Sequence, residues 1–249
     1  MRIDRLLCEL NIGTRSRAKE LLKKGLVSVD GQVIKKADTQ VDETAVTITC
    51  QGKEYRYRPF VYYMLNKPAG VITATKDDKE RTVMDLFRAA YLKTHDGDLS
   101  GIPYKDMFPV GRLDKDTVGL LLLTNDGELS HNLLSPKKHA DKKYLVHLDK
   151  ELSKEAACRL EQGVDIGEDE LTKPAVVEVN RNDLRQCYLT ITEGKFHQVK
   201  RMFQAVGLTV VCLKRMSMGS LLLDDKLAEG EIRELTPEEI SGLLKGYKS

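Results

Sequence analysis

Phe108-Pro109-Val110-Gly111-Arg112-Leu113-Asp114-Lys115-Asp116-Thr117-Val118-Gly119-Leu120-Leu121-Leu122-Leu123-Thr124-Asn125-Asp126-Gly127 divides into a polar loop and an unbroken apolar run. Residues 118–123 have the length of a strand and no polar alternation, the pattern of a strand covered on both faces. Asn125-Asp126-Gly127 closes the run with turn-forming residues. Such a strand belongs in a domain core, and the loop leading into it carries two carboxylates, Asp114 and Asp116. An aspartate in such a loop is most often a cap or turn residue. On an extended chain, residues two apart share a face, so a glycoside hydrolase with paired carboxylates is one chemistry open to them.

Around this core strand, residues 61–65 read as a strand that enters the turn Asn66-Lys67-Pro68-Ala69-Gly70, where proline and glycine stop the ladder. About 35 less regular residues follow. Residues 144–148, 175–179 and 188–192 read as further strands. Residues 153–160 read as a helix stopped at Gly163, and Thr236-Pro237-Glu238-Glu239 opens a last helix with a capping box. Strands and helices mix without βαβ alternation, which predicts an α+β domain on a mainly antiparallel sheet over residues 60–249.

The front of the chain is different. Ile3, Leu6, Leu7 and Leu10 have helical spacing, and a second helix is expected from Ser16 as its cap to Gly25 as its left-handed stop. Arg15, Lys19 and Lys23 stand four apart on that helix, with Arg17 and Lys24 beside them, a row suited to phosphate oxygens or simply to solvent. Asp30-Gly31 joins two short apolar runs as a hairpin turn. Residues 51–59, polar and ending in proline, read as a linker. Residues 1–59 hold 12 Lys and Arg against 8 Asp and Glu, a net +4, whereas the whole chain of 249 residues nets +2. The basicity in front suggests an anionic partner, most often nucleic acid.

Five scattered cysteines without a Cys-x-x-Cys pair read as ordinary buried thiols. No stretch approaches the roughly 20 apolar residues that span a bilayer, and the first residues lack a secretory apolar core, so a cytoplasmic protein with no membrane partner is expected. His95, His131, His139, His147 and His197 form no short cluster, which argues against a metal site.

Helix, basic helix and hairpin in this order resemble the S4 RNA-binding module, carried by Arg2-Ile3-Asp4-Arg5-Leu6, Thr14-Arg15-Ser16-Arg17-Ala18 and Val27-Ser28-Val29-Asp30-Gly31. The stretch 108–127 resembles the catalytic motif of pseudouridine synthases of the RsuA family. Asn66-Lys67-Pro68-Ala69-Gly70 is similar to that family's first motif, Lys143-Tyr144-Leu145-Val146 to its tyrosine motif, and Glu193-Gly194-Lys195-Phe196-His197-Gln198-Val199-Lys200-Arg201-Met202 to its basic motif. The resemblance implies isomerisation of a uridine in RNA without cofactor or metal. The bond from ribose to N1 breaks, the uracil turns while held, and C5 joins the ribose. By position Asp114 would be the catalytic carboxylate, Lys200 its basic partner and Tyr144 the ring that holds the base. A carboxylate in a pocket resists ionisation, and an adjacent cation offsets that. Arg112 would enter the space left by the flipped uridine. Asn66 and Lys67 would contact RNA or brace the loop, and Lys137, Lys138, Lys142 and Lys143 would meet phosphates. The flanking Phe196, Val199 and Phe203 suggest a half-buried helix face for Lys200. All five histidines read as polar or packing residues.

Residues 169–179 and 198–207 are most similar to the enzyme for 16S rRNA, whose family target is uridine 516. The expected partner is ribosomal RNA or a ribosomal-subunit assembly intermediate, met by a monomer. A 23S rRNA enzyme of the same family, or an RNA-binding assembly factor without catalysis, are the alternatives. Residues 91–106 lengthen the segment before the catalytic loop, and residues 213–220 only partly follow the family.

Overall fold

Ile3, Leu6, Leu7 and Leu10 are buried along one side of α1 (Ile3–Glu9) in the computed structural model, whose described residues are 1–135 and 140–245. The chain forms two units, Met1–Val61 with Arg88–Met107, and Tyr62–Phe87 with Phe108–Ser249.

In the first unit, α2 (Arg15–Lys23) buries Ala18, Leu21 and Leu22 against α1. Its cap is Thr14, not Ser16: Thr14 Oγ1 accepts the amide of Arg17, and the helix begins one residue before the expected cap. Asp30 and Gly31, at φ 47° and 83°, make the hairpin between β1 (Val27–Val29) and β2 (Gln32–Val33). The expected linker is also corrected. β3 (Thr47–Cys50) turns at Gln51-Gly52 into β4 (Lys53–Arg56), giving a sheet of order β2-β1-β3-β4. An edge strand that is exposed except at Tyr55 carries no hydrophobic alternation, so its sequence resembles a linker. The lengthened segment folds here too, with Asn11 Nδ2 donating to Leu99 O at 3.2 Å, Lys53 paired with Asp98 at 2.6 Å and Tyr55 Oη bonded to Ser100 Oγ at 3.0 Å.

In the second unit, β5 (Tyr62–Lys67) and β7 (Val118–Thr124) are buried at every position and pair antiparallel. The other elements are the first part of α3 (Val83–Thr94, whose residues from Arg88 on belong to the first unit), β6 (Phe108–Pro109), α4 (Gly127–Leu134), β8 (Lys142–Leu148), α5 (Lys154–Gln162), β9 (Val176–Val179) and β10 (Gln186–Ile191). They continue with α6 (Gln198–Ala205), β11 (Val210–Met218), β12 (Leu221–Leu222), β13 (Ile232–Glu234) and α7 (Pro237–Lys245). The main path of the sheet runs β13-β5-β7-β11-β8-β10-β9. Among the strands of the described residues only β7 and β11 pair parallel, in agreement with the expected mainly antiparallel α+β fold. α7 has the reciprocal capping box, Glu239 N to Thr236 Oγ1 at 3.2 Å and Thr236 N to Glu239 Oε2 at 2.8 Å. Asp126 does more than close a strand. Its carboxylate accepts Leu129 N at 2.9 Å and caps α4, which packs Leu129 and Leu133 onto Leu120 and Leu122. α3 lies in the stretch that reads as less regular, although Thr82 and Asp85 exchange capping bonds at 2.9 and 3.1 Å. The thiols are not uniformly buried: Cys50 and Cys187 are, Cys8 is partly so, and Cys158 and Cys212 are exposed. Among the described residues, no helix is long and apolar enough to cross a membrane.

Candidate active site

β5 and β7 lie side by side, and the loop that enters β7 wraps the end of β5. Lys67, the last residue of β5, is fully buried, and its ammonium donates to Pro68 O (3.1 Å), Asp114 O (3.1 Å), Lys115 O (3.3 Å) and Thr117 O (2.9 Å). Gly70 N adds a bond to Lys115 O at 2.8 Å. Burial pulls the pKa of Lys67 down to about 8, because the charged form loses water, while Asp116 and Asp114 oppose the shift. Asn66 is buried beside it and donates to Leu227 O at 2.7 Å. The expectation that Asn66 and Lys67 contact RNA is therefore corrected. Both side chains face inward: Lys67 braces the loop at Asp114, Lys115 and Thr117, whereas Asn66 holds the backbone at Leu227 instead.

On the other side of the loop, Thr73 Oγ1 accepts Leu113 N at 3.1 Å and donates to Leu113 O at 2.7 Å. With Leu113 anchored inward, its neighbours Arg112 and Asp114 turn outward, Arg112 being exposed and Asp114 about a quarter exposed. The carboxylate of Asp114 lies 3.1 Å from Lys200 Nζ through one oxygen and 3.4 Å from His197 Nε2 through the other. Lys200 also holds Asp116 at 2.5 Å. Burial pulls the Lys200 ammonium down, and hydrogen bonds to Asp116 and Asp114 more than reverse it, so its pKa is raised and it stays charged. Its hydrogen bond holds the Asp116 carboxyl below the usual range. Asp114 and Asp116 are thus not two carboxylates flanking a bond: both converge on one cation.

His197 is the residue that the sequence alone does not single out, since all five histidines read alike there. It sits at the start of α6 in the left-handed region, at φ 48° and ψ 32°, three residues before Lys200 and so on the same side of the helix. That spacing is the available signal. Val199 and Phe203 are buried as expected, but Phe196 is 70% exposed, which corrects its assignment to a half-buried face.

Tyr144 is buried in the middle of β8, and its side chain makes no hydrogen bond among the described residues. Its Cα partner on β11 is Arg215, whose partner on β7 is Gly119. One row of the sheet therefore links Tyr144 to the strand that Asp114 precedes, two strand spacings or about 10 Å across. Gly119, at φ 97°, allows this row to close, since a Cβ there would collide with the Arg215 carbonyl oxygen. Arg215 is a buried cation that the sequence does not single out either. Its Nε donates to Leu120 O at 2.8 Å, and its Nη2 has no partner among the described residues.

Lys143 faces away from Tyr144, paired with Glu178 at 2.7 Å and 4.7 Å from the Tyr188 ring centroid. Lys142 is buried and donates to Ala140 O at 2.8 Å, so it is not a surface phosphate contact. Lys137, Lys138 and His139 lie outside the described residues. In the first unit Arg15, Arg17, Lys19 and Lys23 are all exposed on α2. Among the described residues, no group of His, Cys, Asp and Glu side chains is placed to share a metal ion.

Residues 61–205 match the family model for RNA pseudouridylate synthases, and residues 1–46 match the S4 domain. The chain belongs to the RNA pseudouridylate synthase family. Among its relatives is the ribosomal small subunit pseudouridine synthase A of Vibrio cholerae, 39% identical over 98% of this chain and all of that one. An uncharacterized RNA pseudouridine synthase of Bacillus subtilis is 48% identical over 96% of this chain and 97% of that one. A crystal structure of a pseudouridylate synthase covers 98% of this chain and 99% of its own, at 36% identity and a TM-score of 0.65. As a pseudouridine synthase with an S4 domain, the protein isomerises uridine in RNA.

Proposed function

We propose that this pseudouridine synthase modifies one uridine of 16S rRNA, at position 516 by resemblance, with Asp114 as the catalytic carboxylate. Residues 60–249 carry the chemistry and residues 1–59 add an RNA contact. The observation that carries the reading is Asp114 held between Lys200 at 3.1 Å and His197 at 3.4 Å on a loop pinned from beneath by Lys67. Support for the ribosomal target comes from relatives such as that of Vibrio cholerae, similar along its whole length and named for the small subunit.

For the carboxylate to reach its ribose, the uridine must leave the stack, at a cost of a few kcal/mol. Arg112, exposed two residues from Asp114, enters the space it leaves. Asp114, paired with Lys200 at 3.1 Å, labilises the bond between C1′ and N1. The detached uracil is held at Tyr144, whose ring offers a flat face and whose hydroxyl, without a partner among the described residues, can make a hydrogen bond. It turns, C5 bonds to C1′, the C5 proton leaves and N1 gains one, so no oxidant, reductant or cofactor is consumed. Arg15, Arg17, Lys19 and Lys23 meet backbone phosphates, and Lys143 does so when RNA displaces Glu178. The enzyme acts as a monomer in the cytoplasm, on 16S rRNA or on an assembly intermediate of its subunit.

The test incubates the protein with 16S and 23S rRNA, free and in subunits, and maps pseudouridine. A single new pseudouridine in 16S rRNA is expected. Product only in 23S rRNA moves the target to the large subunit, and RNA binding without product in any substrate defeats the ribosomal reading. Unchanged product from Asp114→Asn defeats the assignment of the carboxylate.

A further inference from the structure

Phe196 is a large apolar side chain left 70% exposed one residue before His197, which touches Asp114. Its ring stacks on the imidazole of His197, with centroids 3.9 Å apart and planes within 16° of parallel. One face of the phenyl is covered and the rest is open. The arrangement is held from several sides. The carbonyl oxygen of Phe196 accepts Arg201 Nη1 at 3.0 Å, and the same guanidinium is anchored to Glu168 at 2.8 Å and to the Ile166 carbonyl oxygen. His197 adopts a left-handed conformation that few non-glycine residues occupy without function or strain, and Gln198 ties the turn together by accepting Lys195 N at 2.8 Å and donating to Glu193 at 2.6 Å. Several bonds thus fix an apolar ring in water beside a catalytic carboxylate, although burying that ring would be the favourable course.

We infer that Phe196, stacked on His197, is a platform for a nucleobase of the RNA strand next to the target uridine. The inference rests on Asp114 being the carboxylate that the target reaches. Withdrawing one base from a stack leaves its neighbour with an uncovered face, and single-stranded RNA is held on aromatic rings that cover such faces. The target's own base goes to Tyr144, so the exposed ring serves the adjacent nucleotide. The platform is tolerant of base identity, because every base has a flat face, and it fixes the position of the strand without taking part in bond breaking.

The test uses the full-length protein in two measurements. One is affinity for a single-stranded oligoribonucleotide and for the 16S rRNA transcript, which needs no turnover. The other is the half-saturating RNA concentration and the saturated single-turnover rate on whichever rRNA the wild type modifies. Phe196→Ala is expected to weaken both affinity and half-saturation by about 5- to 150-fold, the range for removing one base stack, and to leave the saturated rate within about threefold. Phe196→Trp should restore binding, whereas Phe196→Leu, apolar but not flat, should behave like the alanine variant. The ring is exposed, so melting temperatures should coincide and misfolding cannot imitate the result. Binding unchanged in Phe196→Ala, or restored by leucine, overturns the platform. A wild type that modifies no rRNA defeats the proposed target, while the oligoribonucleotide affinities still decide the platform.

Discussion

Cations are used in opposite ways by the loop of residues 111–117 and by helix α2. In the loop, Lys67 is buried under four carbonyl oxygens and Lys200 is shared between two carboxylates, so each charge fixes the position of something else. On α2, Arg15, Lys19 and Lys23 are exposed and take no ion pair among the described residues, while Arg17 and Lys24 share Glu20 at 2.8 and 2.6 Å. Those two bonds, that to Lys24 first, hold the Glu20 carboxyl at about 2. A charge whose task is geometry needs partners inside the protein; a charge whose task is attraction must leave its partner to arrive. The first kind should therefore respond to mutation steeply and at the chemical step, the second weakly and through salt.

The sharpest break in this contrast is Asp114→Asn, which keeps the shape of a partly exposed side chain and removes the carboxylate. Pseudouridine formation should fall by roughly 10^4-fold or more, with RNA affinity retained, as read by single-turnover assay and filter binding. Lys67→Met comes next. It removes the ammonium from the carbonyls of Pro68, Asp114, Lys115 and Thr117, of which Asp114 O and Lys115 O keep the amides of Thr117 and Gly70, and this should cost about 1–3 kcal/mol in urea unfolding. Displacement of the loop should lower the saturated rate by roughly 10²-fold, with little change in RNA binding.

The same lysine predicts a dependence on pH whose two parts have opposite sign. Its folded pKa of about 8 lies below the ordinary 10.5, so between these values the unfolded chain holds more protons. Stability from this group should rise with pH across that window, since the cost of burying the charge is fully present below about 8. Activity should fall above about pH 8, because a neutral amine has one donor fewer for the loop. Urea midpoints and single-turnover rates measured against pH should both lose these trends in Lys67→Met.

The smallest effects belong to α2. Lys19→Gln with Lys23→Gln should weaken RNA binding several-fold at low salt and reduce the slope of log affinity against log salt by about one for each phosphate no longer neutralised, with the saturated rate unchanged. Arg17→Gln, whose charge Glu20 already offsets, should do less than either. An equal effect from Arg17 would erase the distinction between paired and free cations on this helix.

The two units also differ in how much of each is legible in one dimension. Periodic apolar residues, the hairpin dipeptide Asp30-Gly31 and the capping box at Thr236 are local signals, and the elements they mark are present. Where the signal is weak the elements stay hidden, at the polar edge strand β4 and at α3, whose Thr82 and Asp85 cap precedes a stretch without clear periodicity. Residue types at motif positions single out Asp114, Lys200 and Tyr144, but not His197, whose significance depends on which way one imidazole points.

The sequence by itself determined the family, the mainly antiparallel fold and the candidate carboxylate, because motif and periodicity are properties of neighbours along the chain. Only the tertiary structure decided that Lys67 and Asn66 face inward, that Lys143 is paired with Glu178, and that Phe196 stands in solvent on His197. Those depend on the side of a strand or loop from which water is excluded, which distant segments impose. A lysine at the end of a strand reads the same in one dimension whether it meets a phosphate or four carbonyl oxygens.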